Sequence, residues 1–387
     1  MRSVHFYDPE TEWPKFVHDL QFPAKQLRVP FMAESMPDDF VPRPQEMERL
    51  LVHLLDRERE EPLAVTTALR GAGGYGKTAL VRALCHEEAI QNAFDDGILW
   101  VTLSEAPGSL VGRVEDLIFN LLGERPGFAG LDAATAKLAE LLGDRDILFV
   151  IDDVWDAAHL HPFMQGGSRC ARIITTRNAD VLPTDAHRIQ LDAMQGREAL
   201  ALIGRGLPDG QEDGLSALAA RLGDWPLLLT LANAALVNRV AHGSQTLSAA
   251  LAYFNLALDK RGLTFFDARD AKARNRAVAT TLGISIAQLS TDERARFEEL
   301  AVFPEDEPVP LATLAMYWGR SGGLDEFDTE TLCERLYRLS LVLDFDPTER
   351  YVRLHDVVRQ FLQNSLGPRL AAMHASLVDA LMPSSGI

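Results

Sequence analysis

What this 387-residue sequence lacks narrows its class before any motif is considered. No apolar run reaches the ~20 residues that span a bilayer; the longest lies near residues 226–237 and is shorter. The opening stretch MRSVHFYDPETEW has no apolar leader core, so a cytoplasmic protein without a membrane partner is expected. Cysteine is scarce. Cys85, Cys170 and Cys333 lie far apart with no CxxC spacing, which gives neither a zinc site nor a disulfide framework. Basic residues are outnumbered, 38 Lys and Arg against 56 Asp and Glu, and the net charge of −18 repels phosphate backbones and anionic lipid. With no basic patch in sight, nucleic acid is not an expected partner. No internal repeat or low-complexity tract is present. The remaining composition, 47% hydrophobic and 24% charged, is that of a globular chain long enough for several domains.

The texture along the chain suggests the boundaries. Residues 1–38 show no sustained periodicity and read as a linker or the remnant of an N-terminal effector. From Pro44, the apolar residues Met47, Leu50, Leu51, Leu54 and Leu55 recur at helical spacing, with proline near the first turn. Short apolar runs then alternate with helical patterns: 63–69, 98–103, 147–151, 171–176 and 187–191. That rhythm predicts a doubly wound parallel sheet over 39–192, an α/β nucleotide-binding architecture. Past about 193 the strands stop, and Leu215, Leu218, Ala219 and Leu222 mark a small helical domain over 193–266. A charged stretch at 267–276 introduces further helices and two short apolar segments, 341–345 and 351–354, separated by Asp346, Pro347, Thr348 and Glu349. Helices followed by a hairpin predict a winged helix over 267–365, with 366–387 starting another helical segment.

The chemistry concentrates in three places. The run Gly71-Ala72-Gly73-Gly74-Tyr75-Gly76-Lys77-Thr78-Ala79 follows the first strand and opens a helix, the GxxxxGK[ST] phosphate loop in its required context. Gly73, Gly74, Gly76 and Ala79 offer backbone N–H groups to phosphates, Lys77 reaches the β and γ oxygens, and the Thr78 hydroxyl can ligate Mg²⁺. The strand at 147–151 runs into Asp152-Asp153, which fits Asp152 for the metal and Asp153 for polarising an attacking water. The next strand ends Thr175-Thr176-Arg177, which sets a cation at the same sheet edge to sense a γ-phosphate. Two further places stay open. Gly223 ends one helix and Pro226 starts the next, either a plain corner or a cover for a nucleotide base. His355 ends the hairpin before a helix that Asp356 could cap.

Taken together these residues resemble an NB-ARC domain, the nucleotide switch of the STAND class found in apoptotic protease-activating factors and plant disease-resistance receptors. Phe40-Val41-Pro42-Arg43 resembles the segment that packs on adenine; residues 148–155 resemble the Walker B strand, 172–178 the sensor strand, 223–227 the GLPL motif and Leu354-His355-Asp356 the MHD motif. Pro42 stands where the family often has glycine, and Leu354 replaces methionine; neither change removes a polar contact. The resemblance implies that Val41 and Arg43 lie at the base, Pro226 covers it, Thr230 touches ribose or phosphate, and His355 reaches the ADP β-phosphate. It also implies an ADP-closed state, ATP-dependent homo-oligomerisation, slow hydrolysis, and effector and sensor domains beyond this chain, in defence or cell death. The runner-up is a transcriptional regulator built on the same switch, and the alanine- and arginine-rich composition points to a bacterial source.

Overall fold

The computed structural model describes residues 28–37, 40–56, 63–66, 73–191, 193–241, 245–260, 271–304 and 307–382. The expectations for residues 1–27, for 67–69 of the first strand, for Gly71 and Ala72 and for 267–270 lie outside these. Five strands, β1 Leu63–Thr66, β2 Gly97–Thr102, β3 Ile147–Val154, β4 Ala171–Thr176 and β5 His187–Gln190, form one sheet in the order β2-β3-β4-β1-β5. Every neighbouring pair is parallel. Each β3 position is buried, because helices cover both faces. Phe149 and Ile151 pack with the Leu110–Leu122 and Leu131–Leu142 helices, whereas Leu148 and Val150 pack with the Pro44–Leu55 and Lys77–Cys85 helices.

The strand order sets up the site. Because β4 is inserted between β1 and β3, the residues ending β4 stand between the loop after β1 and the carboxylates of β3, at the carboxyl edge where ligands bind in such sheets. β3 also runs further than the sequence suggests. It continues through Asp152 and Asp153 to Val154, with a bulge between Ile151 and Val154 and Asp153 in the left-handed region at φ 51°. An irregularity of this kind re-aims side chains at a strand end.

Helices take over after β5, as expected, and the apolar core then runs unbroken from Met194 to Leu366. Beyond the Ala271–Ile286 helix come Thr291–Glu299, strand β6 Val309–Pro310, Leu311–Gly322, Glu326–Arg338 and a hairpin of β7 Asp344–Asp346 and β8 Tyr351–Arg353. The hairpin is the expected one. Asp346 closes its turn by accepting from the N–H groups of Thr348 and Glu349 at 2.7 and 2.9 Å. β6, missed in the sequence because two residues carry no periodicity, pairs with β8 and gives a three-stranded antiparallel sheet. Residues 28–37, read from sequence as linker, pack against the β2 edge.

The helical part is fastened to the glycine-rich loop by residues 225–227. Trp225 stacks on Tyr75, with centroids 5.5 Å apart, and its indole N–H donates to the Gly73 carbonyl at 3.1 Å. The Leu227 N–H donates to the Gly74 carbonyl at 3.2 Å. A Cβ on Gly74 would meet the Leu227 Cβ at 2.8 Å, so this approach needs glycine. Trp225→Phe, which keeps an aromatic ring of smaller size but loses the indole donor, is expected to cost about 1–2 kcal/mol. Trp225→Ala should cost about 3–5 kcal/mol, read from urea unfolding midpoints. Equal midpoints for the two variants would mean that the ring contributes nothing beyond its hydrogen bond.

Candidate functional site

The loop arrives at its helix through Gly74 and Gly76, both left-handed at φ 74° and 81°, conformations that an L side chain resists. Gly76 caps the Lys77–Cys85 helix, so that helix's first N–H groups point into a cavity of about 360 Å³. Lys77 enters the cavity nearly buried. Burial, aided by the nearby Arg177 charge, lowers its ammonium to about 8 against the pull of Asp153 and Asp152. Its charge at neutral pH is therefore held at a cost that an anion would repay.

Thr175, at the end of β4, organises the two carboxylates. Its hydroxyl donates to Asp152 Oδ1 at 2.6 Å and accepts from the Asp153 N–H at 2.8 Å. Asp152 is thereby turned toward the Thr78 hydroxyl, 3.0 Å away. Burial raises Asp152 to about 6, with the Thr175 and Thr78 hydrogen bonds opposing. Asp153 is turned the other way, accepting from the Trp155 indole N–H at 2.8 Å and pairing with Arg177 Nε at 3.4 Å. Arg177 also lies over the Trp155 ring, 5.2 Å from its centroid. Thr175 was not singled out in the sequence. A hydroxyl at a strand end carries no signal until the strand order places it beside the aspartates.

The hairpin beyond β6 completes the cavity, which Arg353 and His355 line together with Lys77, Thr78 and Arg177. His355 rather than Asp356 caps the Asp356–Leu366 helix, a correction to the sequence reading: its Nδ1 accepts from the Val357 N–H at 3.1 Å. The ring proton therefore sits on Nε2. Burial, with Arg177 and Lys77 adding to it, pushes the imidazole down to about 3, so it is neutral across the physiological range.

Of the residues singled out from sequence, Gly74, Gly76, Lys77, Thr78, Ala79, Asp152, Asp153, Arg177 and His355 share this cavity. Val41, Arg43, Gly73, Pro226 and Thr230 are not among its lining residues. Arg43 is buried and spent on protein: it donates to the Tyr75 carbonyl at 3.3 Å and the Ala193 carbonyl at 3.2 Å, and pairs with Glu46 and Glu198 at 3.1 and 3.7 Å. Pro226 heads its helix beside the Trp225 fastening, where the Leu227 N–H is taken by the loop. The cavity's donors suit a polyanion with a hard cation. Free helix-end N–H groups and Lys77 match phosphate oxygens, and a hydroxyl facing a carboxylate matches an oxygen-seeking ion.

Comparison with known proteins agrees with this chemistry. Residues 43–205 match the model of the NB-ARC domain. The chain is 30% identical over 305 residues to the regulatory protein AfsR of Streptomyces coelicolor, covering 76% of this chain and 29% of that protein. It is 24% identical over 360 residues to apoptotic protease-activating factor 1 of Danio rerio, covering 88% and 27%. It is 26% identical over 366 residues to disease resistance RPP8-like protein 3 of Arabidopsis thaliana, covering 88% and 39%. The chain thus spans between 27% and 39% of the length of these three relatives. In fold it is similar to a STAND protein with a tetratricopeptide repeat sensor from Pyrococcus horikoshii, with a TM-score of 0.54 at 15% identity over 91% of this chain and 47% of that one. Among the described residues no helix is long and apolar enough to cross a membrane. Loop, strand order and sequence matches converge, and residues 43–205 of the chain belong to the NB-ARC domain family.

Proposed function

We propose that this chain is the nucleotide-controlled switch of a larger cytoplasmic signalling protein. ADP holds it closed, exchange for ATP with Mg²⁺ opens it and permits self-association, and slow hydrolysis resets it. One observation carries the reading: His355, from the far end of the chain, lines the same cavity as Lys77 and Thr78. A ligand touching both links the sheet to the C-terminal helix-and-hairpin unit, whose order of helices and three short strands supports a winged helix. Neutral His355, with its proton on Nε2, is a donor suited to a phosphate oxygen. Thr78 and Asp152 would hold Mg²⁺, which when bound offsets charge on the terminal phosphates. Val41, Pro226 and Thr230 remain candidates for the base and ribose end, and so does Arg43 through its backbone, its guanidinium being engaged by protein. Arg177 senses the third phosphate only by leaving Asp153, and Asp153 is free to orient water only after that separation, which accounts for slow turnover.

The likeness to apoptotic and disease-resistance proteins favours a role in defence or cell death. The likeness to a Streptomyces regulatory protein favours a bacterial origin and a second reading, a transcriptional regulator on the same switch. The Glu326–Arg338 helix carries Glu326, Asp328, Glu330 and Glu334 against Arg335 and Arg338, so it is poorly suited to a DNA groove.

The decisive experiment measures nucleotide retention. Purified protein is expected to carry ADP, Lys77→Ala to lose it, and His355→Ala to release it roughly tenfold faster, a shift of ~1.4 kcal/mol in the closed-to-open ratio. Release from His355→Ala at the wild-type rate would refute the clamp, and full nucleotide content in Lys77→Ala would refute the site.

Two variants probe the carboxylates. Asp153→Ala should keep ATP while hydrolysing it at least about tenfold more slowly, the size of a typical general-base effect or below it; an unchanged rate would leave Asp153 only its pairing with Arg177. Asp152 yields a pH dependence. Its folded value of about 6 lies above the ordinary 3.8, so the native state holds the extra proton between those values and its contribution to stability declines as pH rises through them. Nucleotide-free Asp152→Asn should therefore melt above the wild type at pH 7.5, with the gap closing from pH 6 toward pH 4. A gap of constant size would show that the buried charge is not its source.

A further inference from the structure

Residues 28–37 form a strap along the outer edge of β2. The Ile98 N–H donates to the Pro30 carbonyl at 2.8 Å and the Met32 N–H to the Ile98 carbonyl at 3.0 Å, with Phe31 in parallel register with Ile98. Gly97 permits this approach, since a Cβ there would meet the Pro30 carbonyl oxygen at 2.5 Å. The strap delivers Glu34 to the rim of the phosphate cavity. Its carboxylate accepts from Arg353 Nη2 and Nη1 at 2.9 and 3.1 Å, a two-pronged pair, and also pairs with Arg82. Burial opposes ionisation, yet the Arg353 and Arg82 guanidiniums hold the Glu34 carboxyl below its ordinary range.

The partners belong to different parts of the molecule. Arg82 lies on the Lys77–Cys85 helix, one turn beyond Thr78, and Arg353 ends β8, two residues before His355. Both are largely buried, with side chains 16% and 9% exposed, and among the described residues no other carboxylate lies within ion-pair distance of either. Without Glu34, two desolvated cations would face each other across the boundary between the sheet and the C-terminal unit. We infer that Glu34 is an ionic latch through which the N-terminal strap holds the C-terminal unit closed over the nucleotide, so that withdrawing the strap opens the cavity. The segment preceding the strap thereby acquires a route to the switch. Conversely, a change of nucleotide that moves Arg353 releases Glu34 and reaches the chain upstream.

This inference rests on the closed, ADP-holding reading, and its test separates the two. In the full 387-residue chain, release of a fluorescent ADP analogue is measured for wild type, Glu34→Arg, Gly97→Ala and the double variant Glu34→Arg with Arg353→Glu. Glu34→Arg places a third cation between Arg82 and Arg353, and release roughly tenfold faster is expected. Gly97→Ala evicts the strap with all three charges intact and should do the same. The double variant sets a carboxylate at position 353 against the new arginine at position 34 while Arg82 still faces that arginine, so release should fall part of the way back, to a rate between Glu34→Arg and wild type. Wild-type release from Glu34→Arg, or a double variant as fast as Glu34→Arg alone, overturns the latch. Should wild type hold no nucleotide at all, the switch reading fails, and the latch is judged by solution scattering of the nucleotide-free proteins. A radius of gyration that grows in Glu34→Arg and recovers in part in the double variant supports it; equal radii overturn it.

Discussion

Like charge held out of water is the constraint around which this molecule is arranged. Lys77, Arg82, Arg177 and Arg353 reach one cavity from the loop helix, the end of β4 and the end of β8, and each is largely buried. Cations in such a setting are tolerable only if each is given an anion or an acceptor. The chain supplies Asp153 to Arg177 and Glu34 to Arg82 and Arg353. For Lys77 it supplies only the longer-range influence of Asp152 and Asp153, and its lowered ammonium registers the deficit. The site is thus incompletely neutralised at the point where phosphate is expected. Its affinity for a polyanion and its cost to the empty protein have the same origin.

The aspartates show how this is done without quenching the site. Two adjacent carboxylates on a regular strand would point to opposite faces of the sheet. The bulge and the left-handed Asp153 bring both to the carboxyl edge, and one hydroxyl, that of Thr175, keeps them apart by donating to one and accepting from the backbone of the other. Asp152 faces Thr78, where a cation fits; Asp153 faces Arg177 and Trp155. Neighbours in sequence are thereby committed to different tasks.

That division also explains what could be read from the residues alone. The parallel sheet, the helix from Pro44, the glycine-rich loop with Lys77 and Thr78, the Asp pair and the closing hairpin were legible because each is written in consecutive residues with its own period or spacing. The joints between them were not. Trp225 on Gly73, Arg43 on Tyr75 and Ala193, and Glu34 on Arg82 and Arg353 each join residues far apart in the chain, and no local pattern marks a tryptophan as a hydrogen-bond donor or a glutamate as a latch. The helix after the hairpin was placed correctly while its cap was not. Aspartate is the commoner cap, but here the backbone turns helical one residue earlier and the imidazole takes the Val357 N–H.

The nature of these joints bears on how the molecule would open. The C-terminal unit meets the helical part through a continuous apolar core that includes Tyr75, Trp225 and Leu227 and reaches Leu366. It meets the sheet and the strap through charge, at Glu34 with Arg353 and at Arg113 with Glu307, around the cavity that His355 enters. Separating an apolar joint exposes surface at ~25 cal/mol per Å² with nothing returned by water. A charged seam at a cavity rim is different, since parting it returns desolvated groups to water, which repays much of what the pairs gave. The charged seam is therefore the cheaper one to part, and the apolar seam the one that stays shut. On the switch reading, motion begins at Glu34, Arg353 and His355, while the helical part remains fastened to the loop by Trp225 and carries the loop's state with it. On the same reading, a third phosphate that draws on Arg177 acts beside Arg353 and His355, where the structure is least costly to open.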